Sequence, residues 1–338
     1  MKKFAFPLVA YLTLLSLTLF SAACRSGSSN AVPSAVIIQK IMFTDMPSAS
    51  GIERVGNDYY VIGDDSPYLF RLNDKFQIIS KSPLLDSAEM AQGRIPKAIK
   101  ADLEAITSLI IEGQPYLLVL GSGATALRNK AYLIPMTRRG PGKPRLVDFQ
   151  PVYQALRQEK HVVGNSTLNI EALATDNEYL YLLQRYSPNG RNALISYPLN
   201  TFIPFLVGRS APPAPAYIQP WQLPTLRNIR TGFSGAAPLL GGRLLFTASA
   251  ENSQNTIVDG EIFGSIIGYL DLPNTAKFKE EEKEAVFFPV KDTNGELYTG
   301  KLESICILEE HSNNTVKALA VSDYDDGRSE VVVLQITL

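Results

Sequence analysis

The 338-residue chain balances 32 Lys and Arg against 33 Asp and Glu, a net charge of −1, which argues against nucleic acid or any other polyanion as partner. Apolar residues make up 45%, enough for a globular core, and the two cysteines are too few for a disulfide scaffold.

The chain begins with Met1-Lys-Lys, continues through an uncharged apolar run over Phe4–Phe20 and reaches Ser21-Ala-Ala-Cys24. A basic start, an apolar stretch and small residues before a cut are the three parts of a secretory signal. With a cysteine directly after the cut, the junction resembles a bacterial lipobox. Residues 1–23 are therefore expected to be a lipoprotein signal peptide, Cys24 the lipidated first mature residue, and 24–34 a flexible tether. Two acyl chains on Cys24 would hold the chain stably to a bilayer. The alternative is an uncleaved anchor helix, for which the run is long enough. No acidic run follows Cys24, so the expected location is the periplasmic side of the outer membrane.

Residues 35–338 contain a repeat. A short motif recurs as Ser50-Gly-Ile-Glu53, Ala101-Asp-Leu-Glu104, Leu168-Asn-Ile-Glu171, Thr231-Gly-Phe-Ser234 and Gly300-Lys-Leu-Glu303, each opening an apolar strand. Second strands follow at Tyr59–Asp64, Tyr116–Ser122, Tyr179–Arg185, Leu244–Ser249 and Val316–Asp323. Third strands are expected at Tyr68–Leu72, Ala131–Pro135, Ala193–Tyr197, Ser265–Leu270 and Glu330–Ile336. Fourth strands are expected at Gln77–Lys81, Pro144–Asp148, Ile218–Gln222 and Ala285–Pro289. These runs are β-branched and aromatic, bounded by Gly, Asn, Asp and Pro.

Four strands repeated radially make the blade of a β-propeller. The fifth repeat stops at three strands, and Ala35–Met42 is a spare strand at the other end of the chain. Pairing it beside Glu330–Ile336 would complete the last blade and remove an open edge. The fold expected is all-β, a single five-bladed propeller over 35–338 closed by its N-terminal strand; a β-sandwich is the rival. Helix is expected only at Leu84–Met90 and Val152–Lys160, and Pro204–Pro224 reads as an extended surface crossing. Cys306, in an apolar run, is expected to be a core residue.

If the five motifs are equivalent, Glu53, Glu104, Glu171, Ser234 and Glu303 share one level around the axis. Four converging carboxylates need a counter-charge. One source is a bound cation, for which oxygen ligands point to Ca²⁺ or Mg²⁺, with Asp102 and Asn169 as further donors. The other reading is that each Glu braces the backbone of the next blade. Strand ends supply a second set on one loop face, namely Asp64, Asp65, Arg185, Glu251, Asp323 and Asp325, in which the aspartates are also ordinary turn formers. Arg191 and Arg54 could join Arg185 against an anionic group. His161 and His311 are the only histidines, which leaves little support for a Ser-His-Asp relay or a histidine-bound zinc.

The blade openings Ala101-Asp-Leu-Glu-Ala-Ile106 and Asn169-Ile-Glu-Ala-Leu173 resemble those of the phytase-like, or esterase-like, β-propeller superfamily. That resemblance implies a secreted propeller and, for part of the family, calcium-dependent phosphoester hydrolysis over clustered acidic and basic side chains. It carries over to Asp102, Glu104, Asn169 and Glu171, and less completely to Glu53 and Glu303. No dense Lys/Arg cluster is visible beside these positions. Two functions are therefore expected to compete. One is a module binding a small molecule, glycan or protein; the other is a Ca²⁺-dependent hydrolase with a metal-activated water.

Overall fold

Alternation explains the architecture. The middle of each second strand is largely apolar, and odd and even positions point to opposite sides. Tyr59 and Val61 enter one core while Tyr60 and Ile62 enter another, and Leu117 and Val119 part from Leu118 and Leu120 in the same way. A strand with both faces buried lies between two neighbours, so each sheet is packed on both sides.

In this computed structural model, residues 1, 32–85, 90, 93–187, 189–252, 260–272, 281–324 and 326–338 are described. Cys24, the signal segment, Asp325 and most of the expected helix Leu84–Met90 lie outside the described residues. Val32–Leu338 forms one compact unit.

It opens with β1 (Ser34–Phe43), followed by a meander of β2 (Ala49–Val55), β3 (Asp58–Gly63), β4 (Tyr68–Leu72) and β5 (Ile78–Pro83). The second sheet holds β6 (Leu103–Ile111), β7 (Gln114–Gly121), β8 (Lys130–Thr137) and β10 (Arg145–Asp148), with the short β9 (Gly140–Pro141) on β8. The third holds β11 (Ile170–Thr175), β12 (Tyr179–Gln184), β13 (Asn192–Pro198) and β14 (Tyr217–Gln222). A fourth meander runs β16 (Ile229–Leu239), β17 (Arg243–Asn252), β18 (Glu261–Asp271) and β20 (Val286–Lys291), flanked by β15 (Thr225–Leu226); β19 (Lys283–Glu284) joins β14. Last come β21 (Lys301–Glu310), β22 (Thr315–Asp323) and β23 (Ser329–Thr337).

The spare N-terminal strand fills the missing place. β1 pairs antiparallel with β23, from Ala35 opposite Ile336 to Met42 opposite Glu330. It also pairs in parallel with β20, Ala35 opposite Val290, which fuses the last two sheets into one of nine strands. The first strands touch in a cycle: β2 meets β6, β6 meets β11, β11 meets β16, β16 meets β21, and β21 returns to β2. Five apolar clusters fill the spaces between consecutive sheets. The fold is all-β and β-propeller-like.

Each first strand carries a bulge at its start, where register slips across one residue: Ser50, Glu104, Glu171, Ser234 and Glu303. The next residue is small in every case, Gly51, Ala105, Ala172, Gly235 and Ser304. A Cβ on Gly235 would lie 2.6 Å from Ser304 Cα, so close approach of first strands requires it.

Helix is limited, among the described residues, to α1 (Gln150–Gln158), α2 (Lys160–Val163), α3 (Leu199–Leu206) and a single 3₁₀ turn. The first falls where helix was expected. The third overturns the extended reading of the Pro-rich stretch at its start, because Phe202, Phe205 and Leu206 bury one helical face despite Pro204. None of these helices is long and apolar enough to cross a membrane. Cys306 is a buried free thiol among Ile52, Val61 and Leu319, as an apolar strand position should be.

Candidate functional site

Antiparallel pairing brings the start of each first strand beside the end of the second. Ala49 faces Gly63, Leu103 faces Gly121, Ile170 faces Gln184, Gly232 faces Ser249 and Leu302 faces Ser322. The bulges and the second-strand ends therefore occupy one end of the unit. A bulge re-aims its side chain, which turns Glu104, Glu171 and Glu303 away from the sheet cores.

The carboxylates there meet lysines and arginines. The ammonium of Lys100 pairs with Asp64 and, at 2.9 Å, with Asp102. Arg128 approaches Asp102 at 2.7 Å, and the Ser122 hydroxyl donates to it at 2.5 Å. Asp102 holds a left-handed backbone with φ 56°, a conformation an aspartate tolerates. Arg94 pairs with Asp65 and donates to Ser48 Oγ. On the far side, Arg185 donates to Ser249 Oγ at 2.9 Å and to Glu251 at 3.1 Å. Lys301 bridges Glu251 at 3.3 Å and Glu303 at 2.8 Å. Asn169 donates to Glu171 at 2.6 Å.

Burial sets the protonation of this network. It pushes the Glu303 carboxyl up to about 7, with Lys301 acting against the rise. Burial and then the neighbouring Glu171 carboxylate raise Glu104 well above the carboxylate range. Glu171 is raised as well, by burial, with Arg185 and Lys301 opposing. Burial works against the charge of Lys301, but Glu303 and Glu251 outweigh it and hold the ammonium ionised far above its ordinary range. Burial also works against ionisation of Glu251, yet Lys301 and Arg185 hold it below its usual value. Glu104 feels the carboxylates of Glu171, Asp102 and Asp64 together, which couples the two groups of charges electrostatically. One oxygen each of Asp64, Asp102 and Glu104 lies within 4.8 Å of the others.

Two sequence expectations change. Glu53 does not occupy the common level: Ser50 is the bulge residue of the first sheet, and Glu53 stands three residues farther along β2. Its carboxylate accepts the Arg54 N–H at 3.0 Å and the Ser108 hydroxyl at 3.3 Å, and burial pushes it to about 7. Ser50 matches Ser234 instead. Each donates its hydroxyl to the carbonyl preceding the next glutamate, Leu103 O at 2.7 Å and Leu302 O at 2.6 Å. The second change concerns counter-charge. Lysines and arginines do stand beside these positions: Lys100 and Arg128 pair with Asp102, Arg185 pairs with Glu251, and Lys301 pairs with Glu251 and Glu303.

Of the predicted loop-face residues, Asp64, Asp65, Arg185, Glu251 and Asp323 all lie at this end. Arg54 and Arg191 do not join Arg185, since Arg54 donates to Leu308 O and Arg191 faces Glu282 at 3.7 Å. Lys100, Arg128 and Lys301 escaped sequence reasoning. The available signal was that Lys100 and Lys301 stand four and two residues before Glu104 and Glu303.

Cavities open around the network. One of about 170 Å³ touches Arg185 and Glu251, one of about 340 Å³ touches Lys100 and Arg128, and one of about 350 Å³ touches Lys301 and Asp323. Pre-set charges of both signs, buried and braced, can orient a polar ligand through hydrogen bonds from several sides.

A family profile described as a family of unknown function (DUF6929) matches residues 45–336. No curated protein sequence matches the chain. Among solved structures, a glutaminyl cyclase from Myxococcus xanthus aligns at 12% identity with a TM-score of 0.47, covering 90% of this chain and 98% of its own. The arabinanase Arb43A of Bacillus subtilis aligns at 9% and 0.40, covering 85% and 95%. An α-L-arabinanase from Cellvibrio cellulosa aligns at 12% and 0.42, covering 83% and 89%.

Proposed function

Because the chain belongs to the DUF6929 family, described as one of unknown function, we propose a role read from its own geometry: a membrane-anchored, extracytoplasmic five-bladed propeller that binds a small polar ligand on the charged end of its inner strands. The four complete meanders and the β21–β23 sheet closed by β1 are the five blades. The observation that carries the binding role is the convergence of buried charges from every blade on that one end. Isolated buried charges are costly. A set that is paired, braced and reached by cavities suits recognition of a ligand with several hydrogen-bonding groups.

Attachment rests on the lipobox-like junction at Cys24, and the lack of an acidic run after it favours the periplasmic side of the outer membrane. A Cys24→Ser chain is expected in the soluble fraction; one that still fractionates with membranes contradicts acylation. The second reading is a hydrolase, calcium-dependent as the phytase-like resemblance implies. It is favoured by the Glu303 carboxyl near 7, in the range of a general acid or base at neutral pH.

The test is a thermal-shift panel of sugars, amino acids, nucleosides and phosphate and carboxyl esters, with and without Ca²⁺. A bound solute should stabilise the chain by about 2.7 kcal/mol at a hundred times its Kd. The binding reading expects stabilisation without turnover. Ester turnover that needs Ca²⁺ favours the hydrolase, and a panel with neither effect contradicts both.

A further inference from the structure

The cavity of about 350 Å³ beside the last two blades has two tyrosines in its wall, where the cavity at Arg185 has one, Tyr186. Tyr298 and Tyr324 line it together with Leu297, Lys40, Lys301 and Asp323. The two phenols are fixed at their hydroxyl ends by one buried carboxylate. Tyr298 donates to Glu330 at 3.0 Å, and the Tyr324 hydroxyl bonds to the same group. Two glycines set the Tyr298 loop. A Cβ on Gly264 would lie 2.8 Å from Tyr298 O, and one on Gly300 would strike the Tyr298 ring. The wall is thus formed before any ligand arrives, which lowers the entropic cost of binding.

Charge narrows the ligand. Lys301 is engaged by Glu303 and Glu251, and Lys40 sits 4.8 Å from the Tyr298 ring centroid. Against these two lysines stand Asp323, Asp292 and Glu296. Such a lining repels phosphate and carboxylate groups. It offers acceptors to hydroxyl donors, ammonium donors to ring oxygens, and aromatic surface to an aliphatic ring face.

We infer that this cavity is a saccharide subsite for a neutral sugar, with Tyr324 as its aromatic platform, an inference that rests on the polar-ligand reading of this end. The cavity falls in the ~300–1,000 Å³ range of small-molecule sites. Lys301 and Asp323 connect it to the charged network, so a longer ligand would run from the tyrosines toward Glu303.

The experiment uses the full chain in detergent, with maltose, cellobiose, lactose and N,N′-diacetylchitobiose as probes and glucose 6-phosphate as the anionic comparison. Saturation-transfer NMR detects contact and calorimetry measures affinity. At least one neutral disaccharide should bind more tightly than glucose 6-phosphate. Tyr324→Ala should weaken it by about tenfold or more, and Tyr324→Phe, which keeps the ring, by less than about threefold. A chain that binds other solutes of the broad panel but none of these disaccharides overturns the saccharide subsite alone. Unchanged affinity in Tyr324→Ala, or preference for glucose 6-phosphate, overturns it as well. A chain that binds no solute at all overturns the polar-ligand reading and this inference with it.

Discussion

A chain lacking residues 32–43 should unfold about 5 kcal/mol more easily, a fall in Tm of roughly 8 °C for a unit of this size. β1 holds two partners at once, nine residues of β23 on one side and β20 on the other. Removing it exposes both edges and strips Ala35 and Ile37 from one core and Phe43 from the next. Since those cores lie on either side of the last blade, the loss should propagate as one cooperative transition and not as fraying. Differential scanning calorimetry of the truncated chain checks this. A Tm within about 2 °C of the parent would mean that β1 adds little beyond local pairing.

Lys301→Met should destabilise the unit by about 3–5 kcal/mol at pH 8 and by clearly less at pH 5. The ammonium is the shared partner of Glu251 and Glu303, and its removal leaves two buried carboxylates with Arg185 as the remaining nearby cation. The sign follows from linkage. A carboxyl raised to about 7 in the folded chain, above its unfolded value, favours the folded state in acid and loses that contribution as pH rises through 7. Losing Lys301 raises Glu303 further, because the ammonium opposes the rise. At pH 5 the acids take up protons and the missing partner matters less. The raised Lys301 ammonium stays charged throughout this window, so its own titration adds no slope. Urea unfolding at both pH values measures the difference. Equal losses at the two would show that Lys301 acts by packing alone.

Strand order was legible because apolar runs of five to nine residues with turn residues at their ends repeat at similar intervals. Even the closing strand announced itself, as the one run without a partner. Register was not legible at the first blade. Ser50-Gly-Ile-Glu53 ends in Glu as the other openings do, which set Glu53 level with Glu104, but the slip between Ala49 and Gly51 makes Ser50 the matching residue. The pattern that does hold is a Ser or Glu followed by a small residue, as in Glu104-Ala105, Glu171-Ala172 and Ser234-Gly235. It reflects the tight approach of neighbouring first strands. The cations of the site were hidden for another reason. Lys100 and Arg128 come from connections, and a long flexible side chain reaches its carboxylate only through the tertiary fold. The recurring acids pointed to a need for counter-charge, and Lys100, Arg128, Arg185 and Lys301 supply part of it.

The proposed ligand site is the end of the unit that carries Glu104, Glu171 and Glu303. Hydrogen exchange on the full chain, with the solute that shifts its Tm most, tests it directly. Slowed exchange is expected at 62–66, 100–104, 183–187, 249–252, 298–303 and 322–324, with no change at the opposite turns 56–57, 112–113, 176–178 and 240–242. Protection confined to those opposite turns, or to the outer strands, would contradict the claim.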